Sequence, residues 1–124
     1  MPSQEALERF IARVEENAHI EAIQEFHLPE SSMQENQAEP RVGRERHMES
    51  EKQMLARVKS MHSQCVRPVF VAGDCVVIRW IFEIQWQDGG TTRLEELAYQ
   101  HWTGDRIAKE QFFYDPAQRK PKAS

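Results

Sequence analysis

Apolar residues near the start of the chain recur at the spacing of an α-helix. They fall at positions i, i+3, i+4 and i+7 in one stretch, as Leu7, Phe10, Ile11 and Val14. This spacing places them on one face of a first helix, which Ser3 is suited to cap. A shorter second helix is predicted with Ile20 and Ile23 facing inward. It ends before Pro29, because a proline pushes the preceding residue out of helical geometry.

The next segment, residues 32–42, is polar and contains Pro40, so we expect a short strand followed by a loop that ends at Gly43. A third helix is predicted over residues 44–61. Its inner face carries three apolar residues, Met48, Leu55 and Val58. The first half of the chain is therefore predicted to be mainly helical.

The second half changes to the period of two that is typical of β-strands, and the alternation is most regular from Cys75 to Gln87. Strands are predicted over residues 66–72, 75–87, 92–103 and 106–114, with turns at Gly73-Asp74, Gly89-Gly90 and Gly104-Asp105. We expect one domain over residues 1–116 and a disordered C-terminal tail over residues 117–124.

Three helices followed by an antiparallel meander indicate an α+β fold, in which the helices cover one face of a sheet of about four to six strands. The strands carry apolar residues on both faces, and Val77 and Ile81 lie on the face away from the helices. We expect a second copy of the chain to cover that face, which predicts a homodimer.

Charge and composition exclude several classes of protein. The 124 residues have a net charge of -4, whereas a nucleic-acid binder has a clustered basic surface. No run approaches the roughly 18 apolar residues of a membrane helix, and the first residues do not resemble a secretory signal. The expected location is the cytoplasm, with no membrane or nucleic-acid partner.

Cys65 and Cys75 are too far apart on the predicted hairpin for a disulfide, which indicates two free thiols.

Three segments form a recognisable pattern: residues 17–23, the glycine entry into the third helix at residues 41–45, and the hairpin with its last strand at residues 102–116. The hairpin reads Trp102-Thr103-Gly104-Asp105-Arg106-Ile107, followed by Glu110 and by Phe112-Phe113-Tyr114-Asp115-Pro116. In this order the segments resemble the nuclear transport factor 2 superfamily, and within it the SnoaL-like proteins, which include polyketide cyclases. The resemblance implies a cone-shaped, curved antiparallel sheet with a ligand pocket under the helices. It does not imply one function, because this fold serves isomerases, cyclases, hydrolases and non-catalytic binders.

The ketosteroid isomerase branch of this superfamily implies two hydrogen-bond donors that the chain lacks. The tyrosine position falls on Ile11 and the aspartate position on about Ala98, and neither side chain can donate. The position of the base falls on Gln34 or on Glu35, depending on the direction of counting. Adjacent strand residues face opposite sides of a sheet, so only one of the two can line the pocket. Steroid isomerase chemistry is therefore not expected.

The polyketide cyclase branch places acid-base residues on the last two strands, which implies His101 and Asp115 as one candidate pair. If Trp102 and Ile107 both face inward, however, His101 faces away from the pocket. Since side chains alternate along a strand, an inward Trp102 also places Glu96 and Gln100 on the inward face. Glu110 and Tyr114 face inward as well if a β-bulge lies between the last two strands.

Our candidate catalytic residues are therefore Glu96, Glu110 and Tyr114. The candidate ligand-binding residues are Gln34, Glu35, Asn36, Gln100 and Trp80, with His101 and Asp115 as the alternative acid-base pair. A glutamate buried here would have a raised pKa, as a proton-transfer group requires. The alternative is that Glu96 and Glu110 lie on the outer face, paired with Arg79, Arg93 or Lys109.

No metal site or cofactor is predicted. His47 and Glu51 are one helical turn apart, but without further ligands at suitable spacing they indicate a solvated helix face. The chain is expected to bind a small, largely apolar or aromatic molecule in the cone, with cofactor-free acid-base chemistry of the cyclase, isomerase or dehydratase type as the possible reaction. The alternative is a non-catalytic module for ligand binding or dimerisation.

Overall fold

Three helices and six strands make up the computed structural model of the chain, which describes residues 1–123. The helices are α1 (Gln4–Glu15), α2 (His19–Phe26) and α3 (Arg44–Leu55). The strands are β1 (His27–Glu35), β2 (Arg41–Val42), β3 (Val58–Ala72), β4 (Cys75–Trp86), β5 (Thr91–Thr103) and β6 (Arg106–Phe113). A short 3₁₀ helix, Pro116–Arg119, follows β6. The predicted α+β class is confirmed.

Helix α1 forms as its apolar spacing predicts. The Ser3 hydroxyl caps it by accepting a hydrogen bond from the Ala6 backbone N–H at 3.1 Å, which satisfies one of the donors that a helix start leaves free. Its apolar face is buried through Leu7, Phe10, Ile11 and Val14. The helix packs against α2 and β3, so that this face closes one side of the core.

The six strands form one open sheet in the order β2-β1-β6-β5-β4-β3. Five strand pairs lie in it, and four of these are antiparallel. The fifth pair, β1 with β6, is parallel. The sheet is therefore mixed, which corrects the prediction of a purely antiparallel sheet. The three hairpins from β3 to β6 fix the direction of β6, and that direction is the same as the direction of β1.

The third helix is shorter than predicted and ends at Leu55 rather than at residue 61. Residues 58–63 belong instead to β3, where they pair with residues 82–86 of β4. Strand β4 is long, and its backbone groups need partners along its whole length. Val58 therefore lies on a strand and not on the inner face of the helix.

Two other segments also differ from expectation. The strand predicted within residues 32–42 begins earlier, at His27, and a second short strand, β2, returns beside it. A disordered tail is predicted over residues 117–124; of these the structure describes residues 117–123, which turn back along the sheet, and residue 124 lies outside the described part. Asp115 caps the 3₁₀ helix, and the backbones of Lys122 and Thr91 exchange two hydrogen bonds at 2.8 Å. These contacts tie the segment to the start of β5.

Aromatic rings fill the core between α1, α2 and the sheet. Phe10 contacts Phe26, Trp80 and Trp102 in edge-to-face geometry, with ring centroids 5.6, 6.5 and 5.9 Å apart. All four rings belong to the buried hydrophobic core. Both cysteines are free thiols, as expected. No helix within residues 1–123 is long and apolar enough to cross a membrane.

Candidate functional site

A cavity of about 520 Å³ lies between the helices and the concave face of the sheet. This volume suits a small organic ligand. Its wall is largely apolar and aromatic, and it includes Phe10, Ile23, Met54, Trp80, Phe82 and Leu94. Four glutamates also face it, and their environments are of three kinds: Glu35, Glu51, Glu96 and Glu110.

The sheet register explains why two of these glutamates face inward. In the β5–β6 pair the register shifts between His101 and Trp102, and this is the β-bulge that inward-facing Trp102 and Glu110 require. Gln100 lies opposite Glu110, while Trp102 lies opposite Ile107. All four side chains are buried on the helix side of the sheet.

Glu96 is the most isolated carboxyl of the cavity wall. It lies on β5 directly opposite Trp80 of β4, and its side chain is only 8% exposed. Within residues 1–123 no group donates a hydrogen bond to it or forms an ion pair with it. Burial raises the pKa of Glu96 to about 8, and the nearby carboxylates of Glu35 and Glu110 add to the effect. Glu96 therefore holds a proton at neutral pH.

Glu110 has a contrasting environment, because two side chains orient its carboxylate. The Gln100 amide nitrogen donates to Glu110 Oε2 at 2.7 Å, and His27 Nε2 lies 3.2 Å from Glu110 Oε1. The indole N–H of Trp102 donates to Gln100 Oε1 at 2.9 Å. Since tryptophan can only donate, the amide oxygen of Gln100 must face Trp102 and its NH₂ must face Glu110. The network fixes Glu110 as an acceptor at the cavity wall.

Glu35 is held in an ion-pair cluster at the edge of the cavity. Its carboxylate accepts hydrogen bonds from the Tyr114 hydroxyl at 2.9 Å and from Arg119 Nη1 at 3.2 Å, and it lies 3.6 Å from Arg41 Nη2. Burial, together with the bond to Glu35, raises the pKa of the Tyr114 phenol above its usual value. Tyr114 therefore stays protonated and serves to bind Glu35, which brings the 3₁₀ segment against the cavity.

The alternation along β1 decides between the two candidate positions for a base on this strand. Met33 and Glu35 face the cavity, whereas the amide of Gln34 donates to the Ala38 carbonyl at 2.8 Å. Asn36 has a positive φ of 49° and accepts a hydrogen bond from the Tyr114 backbone N–H at 3.0 Å. Gln34 and Asn36 thus shape the end of the strand rather than the cavity wall.

The alternative pair, His101 and Asp115, is not brought together. His101 is exposed on the outer sheet face, with its Nδ1 3.7 Å from Cys75 Sγ. Asp115 is exposed and accepts from the Ala117 backbone N–H at 3.0 Å, as a helix cap. Ile11 and Ala98, which the sequence resemblance aligns with the donor positions of the steroid isomerases, are buried in the core.

Sequence reasoning missed a second unpaired carboxyl, Glu51 of α3. Burial raises its pKa to about 7. Its nearest basic group is His19 Nδ1, 3.7 Å away, but desolvation lowers the pKa of His19 to about 4, so this imidazole is neutral at pH 7. His19 Nε2 also lies 3.1 Å from the Ser63 hydroxyl. Glu51 therefore faces the cavity without a cation.

The prediction of a solvated face for His47 and Glu51 is wrong. His47 is buried, and its Nε2 donates to the Ser31 carbonyl at 2.9 Å. The helix turns these two residues toward α2 and β1, and their i, i+4 spacing was the available signal of a shared, inward face. Across residues 1–123, no group of three or more His, Cys, Asp and Glu side chains is placed to hold a metal ion.

The protonation of Glu96 predicts how stability depends on pH. The folded chain holds this proton up to a pKa of about 8, compared with 4.5 for an ordinary glutamate. The resulting stability is fully present below about pH 4.5 and is lost as the pH rises toward 8. Glu96→Gln has no proton to lose at this position, so its free energy of unfolding should not fall in this way. Between pH 5 and pH 9 its free energy of unfolding should therefore rise by on the order of a few kcal/mol relative to that of the wild type.

Urea unfolding at pH 5, 7 and 9 measures this difference. Glu95→Gln is the matched control, because Glu95 lies on the opposite sheet face and pairs there with Arg79. Parallel pH profiles for the wild type and Glu96→Gln would contradict the assignment of a buried, protonated Glu96.

Comparison with solved structures finds the same architecture in proteins of very different sequence. A hypothetical protein with a ketosteroid isomerase-like fold from Catenulispora acidiphila, in complex with trimethylamine, aligns over 94% of this chain and 89% of its own length, with a TM-score of 0.76 and 14% identity. An epoxide hydrolase from M. tuberculosis aligns over 92% and 83%, with a TM-score of 0.74 and 13% identity.

A third neighbour is a SnoaL-like protein from Jannaschia sp. CCS1, which aligns over 90% of this chain and 86% of its own, with a TM-score of 0.72 and 13% identity. No model of a known protein family and no curated protein matches the sequence. At identities this low the likeness concerns the fold, and it confirms what the three sequence segments indicate. The chain has the nuclear transport factor 2-like fold that SnoaL-like and ketosteroid isomerase-like proteins share.

Proposed function

We propose that the chain binds a small, largely apolar molecule in the cavity and exchanges a proton with it through Glu96 and Glu110. The observation that carries this proposal is the unpartnered, buried Glu96 carboxyl on the wall of a 520 Å³ aromatic cavity. A buried carboxyl without a partner is costly to the fold, and proton transfer to a ligand is a use that accounts for it.

The two carboxyls suit opposite roles. Glu110 accepts a hydrogen bond from the Gln100 amide, a geometry that suits a general base, and protonated Glu96 suits a general acid. In a reaction of this kind Glu110 would take a proton from carbon next to a carbonyl, while Glu96 would give its proton to the carbonyl oxygen. The product is an enol, and no cofactor is required. Tyr114 would act indirectly by holding Glu35.

The structural neighbours support ligand binding in general and no single ligand. One is in complex with trimethylamine and another is an epoxide hydrolase, so the same fold accommodates unlike chemistry.

Binding is tested with N-phenyl-1-naphthylamine, a neutral dye whose fluorescence rises in apolar surroundings. We expect one dye molecule per chain. Met54→Trp places a large ring in the cavity and should weaken dye binding at least about tenfold, since the lost volume excludes the ligand. Gln53→Trp, at the neighbouring exposed position, should leave binding unchanged. If both variants bind like the wild type, the dye does not occupy this cavity.

Acid-base chemistry is tested by hydrogen–deuterium exchange at the α-carbon of phenylacetone in D₂O, followed by NMR. The wild type should accelerate exchange above the buffer rate. Glu110→Gln should lose at least about a hundredfold of this acceleration, as expected when a general base is removed. Lys109→Gln, which changes the exposed neighbour on β6, is the control.

A second candidate function is a non-catalytic binding module. The absence of a hydrogen-bond donor at Ile11 and at Ala98 favours it, because the steroid isomerase arrangement is missing. Dye binding without any exchange of phenylacetone, in the wild type and both variants, would favour this candidate.

We further propose that the outer sheet face forms a homodimer. Large apolar side chains are exposed there, among them Phe70 at 64%, Tyr99 at 48% and Leu97 at 44%. Val77 lies between Phe70 and Tyr99 in the register, so these residues form one patch. Contiguous apolar surface of this kind is typical of an interface.

Light scattering at micromolar concentration should therefore give twice the chain mass of 14.6 kDa. Tyr99→Glu should produce a monomer, because it introduces a charge that the interface would have to desolvate. Val42→Glu alters an exposed valine outside the patch and should remain dimeric. A wild type with the mass of one chain would contradict the dimer.

A further inference from the structure

The positive groups of the cavity wall already have partners. Arg41 and Arg119 both lie against the Glu35 carboxylate, and the Arg57 guanidinium sits over the Trp86 ring, 5.1 Å from its centroid. Each of these arginines is therefore engaged with the protein itself. Among the residues that the structure describes, Arg57 is the only arginine of the wall without a carboxylate partner, and its guanidinium is held over the Trp86 ring.

The carboxyl groups of the cavity wall outnumber its arginines. Three arginines in the wall match three carboxylates, Glu35, Glu110 and Asp88, when the histidines are counted as neutral. Glu51 and Glu96 are additional. While both hold their protons the wall is neutral overall, and ionisation of either one makes it negative. Ionisation of Glu51 and Glu96 can therefore only make the cavity wall more negative.

An aromatic surface adjoins the isolated carboxyl. Trp80 lies directly opposite Glu96 in the β4–β5 register, and the Trp80 ring is stacked on Phe82 with centroids 5.8 Å apart and an interplanar angle of 21°. Both rings line the cavity. An indole face next to a carboxylate attracts a cation through the ring quadrupole and through the charge.

We propose that the ligand of this cavity is a small organic cation, a substituted ammonium group with an apolar body, whose charged nitrogen lies between Glu96 and the face of Trp80. This inference rests on the proposed binding of an apolar molecule and names its class, but not on the proposed proton transfer, because a Glu96 carboxylate that pairs with a cation has no proton to donate. The apolar body would occupy the space toward Ile23 and Met54. Glu51 on α3 would supply a second carboxylate across the cavity.

Binding of a cation requires Glu96 to release its proton, which gives the interaction a defined pH dependence. The ionisable groups that share the cavity wall with Glu96 are His27 and Glu35 on β1, Arg41 on β2, His19 on α2, Glu51 on α3, Arg57 after α3, Asp88 after β4, Glu110 on β6 and Arg119 after β6. Glu35, Glu51 and Glu110 raise the pKa of Glu96, and Arg119 opposes them. Affinity for a permanent cation should rise with pH until Glu96 is ionised.

Benzyltrimethylammonium is a suitable probe, because its charge does not change with pH. Neopentylbenzene has the same shape without the charge. Both are measured by displacement of N-phenyl-1-naphthylamine between pH 6 and pH 9. The dissociation constant of the cation should fall about tenfold for each pH unit below the pKa of Glu96, since only the ionised fraction binds it. The neutral isostere should show no such gain.

Glu96→Gln keeps the size of the side chain and removes the charge. At pH 8.5 this variant should bind benzyltrimethylammonium at least about tenfold more weakly than the wild type, while it retains the dye. Glu95→Gln, on the outer face, should match the wild type. Equal affinity for the cation and its neutral isostere at pH 8.5, or unchanged cation affinity in Glu96→Gln, overturns the inference but leaves the proposed binding function standing. Loss of dye binding in the wild type overturns both.

Discussion

The register between β5 and β6 is the constraint on which the cavity depends. Side chains alternate along a strand, so a shift of one residue moves every following side chain to the other face. Without the bulge between His101 and Trp102, inward Trp102 and Ile107 would place Glu110 on the outer surface. With it, the hairpin contributes apolar residues to the core and polar ones to the cavity wall.

The four glutamates of the cavity wall are all at least partly desolvated, but their environments are of three kinds. Glu35 is neutralised by arginines, Glu110 is held by a glutamine and a histidine, and Glu51 and Glu96 face the cavity without a cation. Burial disfavours a charge unless something compensates it. The chemistry of the site therefore follows less from the number of carboxyls than from which of them the fold leaves uncompensated.

The sequence was sufficient for most of the architecture because the strand alternation from Cys75 to Gln87 and the helical stripe of α1 are both local patterns. It also indicated that a bulge was needed, but not where. The third helix was predicted too long, because residues 58–61 pair with a strand more than twenty positions later. A tertiary partner overrides local preference in such a segment.

The candidate site was predictable where it lies on the hairpin and less so elsewhere. Parity along β5 and β6 led to Glu96 and Glu110. It could not choose between Gln34 and Glu35, because the start of β1 was uncertain. Glu51 and His19 were missed since the inward face of a helix with few apolar residues depends on how α2 and α3 pack together.

The parallel pairing of β1 with β6 also bears on how the molecule assembles. Met33 lies beside Glu110, its partner in the register, although well over half of the chain separates the two. Closing so long a loop is entropically costly, and contacts of this kind form slowly compared with hairpins. The strands from β3 to β6 pair through hairpins, and β1 and β2 also pair locally with each other, whereas β1 can join β6 only when the long loop between them closes. The cavity needs both parts, because β1 contributes Met33 and Glu35 to its wall, so the meander alone does not enclose it.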